Sequence, residues 1–190
     1  MKIFRNALQM LVLMTLLTGV AYPLLVTGVA QVIFPEQANG SLLYRTDKPV
    51  ASALLAQNLT DPRYFWPRPS AGNFDGMASG GSNYGQSSPD LMQQWQSRIA
   101  KWQQSTDQKK LIPVELIQAS ASGLDPHISL AAAYYQLRRV AQSRGLTEAQ
   151  VKQVLEQYVD RSGWFTGVPM VNVMLLNLAL DQPGVSHAAR

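Results

Sequence analysis

Apolar and polar positions alternate very differently in the two parts of this chain. Between Arg5 and Glu36 runs NALQMLVLMTLLTGVAYPLLVTGVAQVIFP, without one charged residue. About 20 mostly apolar residues cross the hydrocarbon core of a bilayer as a helix, and this run is longer. A cleaved signal peptide has a shorter apolar core, about 7–15 residues, and a small-x-small cleavage site. Gly28-Val29-Ala30 could supply the site, but apolar character persists to Phe34. The length therefore favours an uncleaved transmembrane helix within residues 1–35, with the signal peptide as the competing reading. Pro23 is compatible with a membrane helix, where neighbouring groups satisfy the freed backbone. Thr15 and Gly19 form a small-xxx-small pair and Gly28 adds a second flat spot, so all three are candidates for helix packing in the membrane.

From Glu36 onward the pattern is that of an ordinary water-exposed domain. SLLYR (41–45) and VASALLAQ (50–57) flank Thr46-Asp47-Lys48-Pro49, which predicts a hairpin. A long stretch dense in Pro, Gly, Ser and aromatics follows, up to Asp90. Its Tyr64, Phe65, Trp66, Phe74 and Tyr84 argue for an ordered loop packed onto something rather than a disordered one. Helical spacing then takes over. Ser88-Pro89 starts a helix whose Leu91, Trp95, Ile99 and Trp102 share a face. Pro113 opens a second helix ending near Gly123. Ser129 caps LAAAYYQLRRVAQSR, which Gly145 stops. Thr147 and Gln150 form a capping box, with Leu146 and Val151 as its hydrophobic staple. Val151, Val154, Leu155 and Tyr158 face inward on the helix it launches, and Asn172 caps a last helix, VMLLNLALD. The expected fold is α+β: a helix-rich domain, residues 36–190, with a small strand and loop region, on one amino-terminal membrane helix.

Charge refines the placement. Lys2 and Arg5 favour a cytoplasmic amino terminus, which puts residues 36–190 in the periplasm of a bacterial cell, on its inner membrane. With no cysteine in the chain, a lipoprotein anchor is excluded. Of 16 basic and 12 acidic residues, setting aside Lys2 and Arg5 leaves 14 basic against 12 acidic. That near-balance, with no basic run longer than two residues, carries no nucleic-acid footprint.

Candidate chemistry is sparse. SGGSNYGQSS (79–88) looks like a phosphate-cradling loop, but a P-loop ends in Lys-Ser/Thr and no lysine lies between Lys48 and Lys101. GGSNYG fails as a nucleophile elbow because Tyr84 stands where the second glycine belongs. The loop is expected to be structural, with Gly80 and Gly81 taking backbone angles closed to other residues. Of the two histidines, His127 in DPH reads as a turn residue and His187 lies in a tail; Asp125 reads as a turn cap. No metal set and no nucleophile–base–orienter set assembles. An accessory subunit of a membrane complex and a lone anchored binding module remain.

The blocks TGVAYPLLVTG (18–28), QANGSL (37–42), YFWPRPSA (64–71), ASGGSNYGQSSPDL (78–91), PVELIQASASGLDPHIS (113–129), AAAYYQLRRVAQSRGL (131–146) and VNVMLLNLALD (171–181) together resemble the C subunit of the Kdp potassium-transporting ATPase. They run in that family's order over nearly the whole chain. The resemblance implies a non-catalytic subunit of an ATP-driven potassium pump. Its partners would be a channel-like potassium-translocating subunit and a P-type ATPase subunit, beside membrane lipid. It also implies a catalytic-chaperone role that raises ATP affinity, with Gln136 at the position implicated in nucleotide binding and ATP as the one possible ligand. Trp66-Pro67 departs from the family's frequent His-Gly, and Ala51 and Ala56 replace frequent glycines. Tyr64, Phe65, Trp66 and Arg68 are candidates for a partner interface, since aromatics and arginine favour interface centres; Trp164 and Phe165 add to the same argument. Filling a core beneath long loops is the competing reading of these aromatics.

Overall fold

The computed structural model describes residues 1–105, 110–161 and 167–182. The chain divides into two compact units, Met1–Leu42 and Leu43–Arg190. In the first, helix α1 (Lys2–Leu16) passes through a π-helical turn, Leu17–Ala21, into α2 (Tyr22–Ile33). The turn has a local cause. Pro23 offers no N–H to the carbonyl four residues back and its ring crowds that carbonyl. The wider turn, closed by Tyr22 N–H donating to Leu17 O, absorbs the mismatch. The resulting 32-residue helix, Lys2–Ile33, has a mean hydropathy of 2.0, no buried residue, and the length and composition to cross a membrane. A short helix, α3 (Pro35–Ala38), follows, and Asn39 ties it back by amide hydrogen bonds to Gln31 and to Pro35 O.

The second unit begins with the expected hairpin, built more tightly than the sequence pattern implied. Strands β1 (Leu42–Arg45) and β2 (Lys48–Ser52) pair across a two-residue turn. Thr46 and Asp47 both have positive φ, 49° and 62°, which matches the strand twist of such turns. Helix α4 (Pro89–Ser105) starts at Pro89 as predicted, but only Trp102 on it is fully buried. The helix expected from Pro113 is a single 3₁₀ turn, Val114–Leu116. Its continuation spends its backbone groups elsewhere: Ser120 N–H donates to Pro69 O, and Ser122 O accepts from Gly80 N–H and Ser79 Oγ. Main-chain groups paired with a distant loop in this way are not available to extend the helix.

Three short strands complete the fold. The order is β3 (His127–Ser129), β5 (Met170–Asn172), β4 (Val159–Asp160), with β5 central and antiparallel to both. Ile128 and Val171, cross-strand partners, have no exposed surface. His127, read from sequence as a turn residue, is in β3 opposite Asn172. Strands β3 and β5 each run directly into a helix. Ser129 ends β3 and caps α5 (Leu130–Arg144) by accepting from Ala132 N–H; Asn172 ends β5 and caps α7 (Val173–Leu180) by accepting from Met174 and Leu175 N–H. Between them α6 (Glu148–Gln157) opens on the predicted capping box of Thr147 and Gln150. Gly145, at φ 66°, closes α5 in the left-handed region. Helix α5 is central: Ala132, Ala133, Tyr135, Leu137, Val140 and Ala141 are buried, and so are Gln136 and Arg139. With Phe65, Trp66, Leu155, Leu176 and Leu180 they form one core. The fold is α+β.

Candidate functional site

The polar centre of the core is a pair of amides gripping the loop 64–67. Gln136, on α5, accepts from Trp66 N–H at 2.7 Å and donates to Trp66 O at 3.0 Å. Asn177, on α7, does the same to the preceding residue, accepting from Phe65 N–H at 2.8 Å and donating to Phe65 O at 2.9 Å. Two helices thus treat consecutive loop residues as a strand would, pairing both backbone groups of each. The chain needs this because Phe65 is fully buried and Trp66 is 7% exposed, and buried backbone groups must be paired. Gln136 itself has no exposed surface. Both of its amide groups are occupied, and Arg139 adds a third bond, its Nη2 donating to Oε1 at 2.8 Å. Asn177 and Arg139 were not singled out from sequence. Their signal was a polar residue on an otherwise apolar helical face, as in VMLLNLAL.

Around this clamp lies an accumulation of cations on aromatic rings. The Arg139 guanidinium sits 3.8 Å from the Trp66 ring centre, and the Lys101 ammonium 4.5 Å from it. Trp66 packs tilted on Trp102 at 5.0 Å, and Trp102 edge-on to Tyr135 at 5.8 Å. Burial pushes Arg139 down to about 10, with the Asp61 charge opposing it. Burial also lowers Lys101, helped by the neighbouring Arg139 charge, and lowers Arg98. A cleft of about 200 Å³ opens here, bounded by Trp66, Pro67, Phe74, Trp102 and the basic Arg68, Arg98 and Lys101.

Arg98 and Ser70 also border a second, larger cleft of about 430 Å³, whose far wall is the loop Gly80–Ser82 with Tyr84. Neither Gly80 nor Gly81 has a left-handed φ; that conformation falls to Asn83, at 53°. The expectation for the two glycines is therefore corrected. Gly81 is small because a Cβ there would lie 3.3 Å from Ala121 O. The backbone constraint sits across the contact, at Gly123, whose φ is +70°. The loop is held to the 120–124 segment by Gly80 N–H and Ser79 Oγ, both donating to Ser122 O, as a structural element would be.

The remaining candidates fall in several places. Tyr64 is half-buried and donates to Asp181 at 2.9 Å; Arg144 and Arg45 pair with the same carboxylate. Arg68 is half-buried, 3.5 Å from Asp125, with its Nε buried and without a partner. Asp125 caps a turn by accepting from His127 N–H at 3.0 Å. Phe65 and Trp66 are interior to their own domain and offer a partner almost no surface. Thr15 and Gly19 are neighbours on the membrane-length helix, a Cβ on Gly19 lying 3.9 Å from Thr15 Cγ2, and Gly28 faces open space. Among the described residues no group of three or more His, Cys, Asp or Glu could hold a metal ion. Trp164, Phe165 and His187 lie outside the described residues.

The family profile described as K+-transporting ATPase, c chain, matches residues 4–182. The potassium-transporting ATPase KdpC subunit of Methylibium petroleiphilum is 51% identical over 185 residues, covering 94% of this chain and 96% of that protein. The subunit of the same name from Serratia proteamaculans is 50% identical over 186 residues, covering 95% and 98%, and that from Pectobacterium atrosepticum 47% over 186, covering 96% and 97%. Matching end to end at this identity, the chain belongs to the KdpC family, the C chains of potassium-transporting ATPases.

Proposed function

We propose that this accessory subunit acts as a brace rather than as a nucleotide site. Residues 1–35 anchor it in the inner membrane with the amino terminus cytoplasmic, and residues 36–190 stand in the periplasm. There the domain docks on the channel-like potassium-translocating subunit, in a complex whose chemistry belongs to the P-type ATPase subunit. Thr15, Gly19 and Gly28 are the flat positions of the anchor against its neighbours. The observation that carries the reading is the state of Gln136: fully buried, with its amide spent on Trp66 and Arg139. A residue so placed supports the fold and presents no exposed surface to an adenine. Any influence on ATP affinity then runs through the partners. Docking falls to Tyr64, Arg68 and the exposed surface around them, since Phe65 and Trp66 serve the core.

Reporter fusions after Arg190, together with co-purification of the full chain from detergent, test this. The expected result is a periplasmic reporter and recovery of both larger subunits. A cytoplasmic reporter overturns the topology. Failure to recover any membrane partner overturns the subunit role in favour of a lone anchored binding module.

A further inference from the structure

Away from the Trp66 cleft, arginines of the second unit sit on carboxylates: Arg45 and Arg144 on Asp181, Arg63 on Asp61, and Arg161 on Glu156. The cations at the Trp66 cleft do not follow that pattern. Arg98 spends two N–H groups on neutral acceptors, Ile117 O at 2.7 Å and Gln94 Oε1 at 2.9 Å. Lys101 lies on the face of Trp66. Among the described residues, only Arg68 of the three reaches a carboxylate, Asp125, at 3.5 Å, and its Nε is left buried and unpaired. Arg139, 5% exposed, adds its charge from beneath the ring. Among the described residues no acidic side chain lines the cleft.

Gathering positive charge at a partly dry site is unfavourable unless an anion completes it. The domain is otherwise close to neutral, so the accumulation is local and not a consequence of overall charge. The space left, about 200 Å³, is walled by rings and prolines, Trp66, Trp102, Phe74, Pro67 and Pro69. That volume takes one side chain and a few waters. A free small anion would find little contact there to offset its lost freedom, whereas a carboxylate on a docked subunit arrives at high effective concentration. Arginine's planar fork favours a carboxylate in bidentate geometry.

We propose that the cleft between Arg68, Arg98 and Lys101 receives an acidic side chain from a loop of a partner membrane subunit. This rests on the chain's role as a docked subunit of the pump. It names the surface and the chemistry of the contact: an Asp or Glu held by three cations in the cleft beside Trp66.

Carbodiimide coupling of the intact, detergent-purified complex tests it, since a carboxylate touching Lys101 Nζ is converted to an amide. The expected product is a cross-linked peptide joining Lys101 to an Asp or Glu of a larger subunit. Lys101→Arg should abolish that peptide while the complex still forms. Lys101→Glu loses the contact with the Trp66 ring but should leave the full chain folded, with one cooperative melting transition. It should lower recovery of the partners about tenfold or more, and a Lys at the mapped partner position should restore it. Wild-type recovery by folded Lys101→Glu, or a Lys101 cross-link only within its own chain, overturns the inference while leaving the subunit role intact. Binding of anionic-lipid vesicles that Lys101→Glu removes, with the complex unaffected, also overturns it, in favour of a lipid headgroup. If the wild type recovers no partner, it is the subunit role that falls.

Discussion

Replacing Gln136 by alanine removes three hydrogen bonds at once from a site without solvent. Trp66 N–H and Trp66 O lose their partners, and Arg139 loses one of its two described acceptors, keeping Pro62 O at 2.7 Å. A buried polar group left unpaired costs about 1–3 kcal/mol. Two stranded backbone groups beside a weakened arginine therefore sum to about 3–5 kcal/mol. Against a domain stability of about 5–15 kcal/mol that is a large share, equivalent to a fall in Tm of about 10–15 °C for a unit of this size. Near-UV circular dichroism on the full chain in detergent reports it directly, because Trp66 and Trp102 are packed at 5.0 Å. Asn177→Ala should cost a similar amount through Phe65. The double variant should cost less than the two single losses together, since both grip adjacent residues of one segment. A Gln136→Ala chain that melts within about 2 °C of wild type, and loses a saturable ATP binding that the wild type shows, would refute a structural role for Gln136. The nucleotide role implied by family resemblance would then stand.

Burial alone would raise the Asp181 carboxyl, but hydrogen bonds from Arg144 and Tyr64, with Arg45 beside them, outweigh it and hold the group below its usual range. A carboxyl depressed in the folded state stabilises above its unfolded value of about 4 and loses that contribution as pH falls through the folded one. Denaturant melts below about pH 4 should therefore show an acid limb that is shallower in Asp181→Asn, and identical limbs would refute the assignment. Gly123→Ala should destabilise by about 1–2 kcal/mol. Its φ is +70° and its Cβ would stand 3.0 Å from Gly80 O and 3.1 Å from Ser70 Oγ. Gly80→Ala, with open space at the Cβ, should be close to neutral, and equal losses at the two positions would contradict this account of the loop.

Local chemistry made much of the fold legible in the sequence. The membrane-length helix is a matter of composition. The starts of α4, α5, α6 and α7 are written in Ser88-Pro89, Ser129, the Thr147–Gln150 box and Asn172, because a cap needs only residues within one turn of it. The end of α5 at Gly145 is equally local. What tertiary structure decided lies wherever a group's partner is far along the chain. Strands β3, β4 and β5 are two or three residues long, too short for an alternating pattern to register, and exist because β5 pairs with both neighbours. The stretch after Pro113 has helical propensity and forms one turn, since its backbone finds partners in the loop 69–80. Gln136 reads alike as a surface residue, a ligand group or a core clamp until Trp66, 70 positions earlier, is placed against it. The cationic cleft is likewise invisible in a sequence whose basic residues never run beyond two. Arg68, Arg98 and Lys101 become neighbours only when α4 packs across the aromatic loop, because charge density is a property of a surface and not of a string.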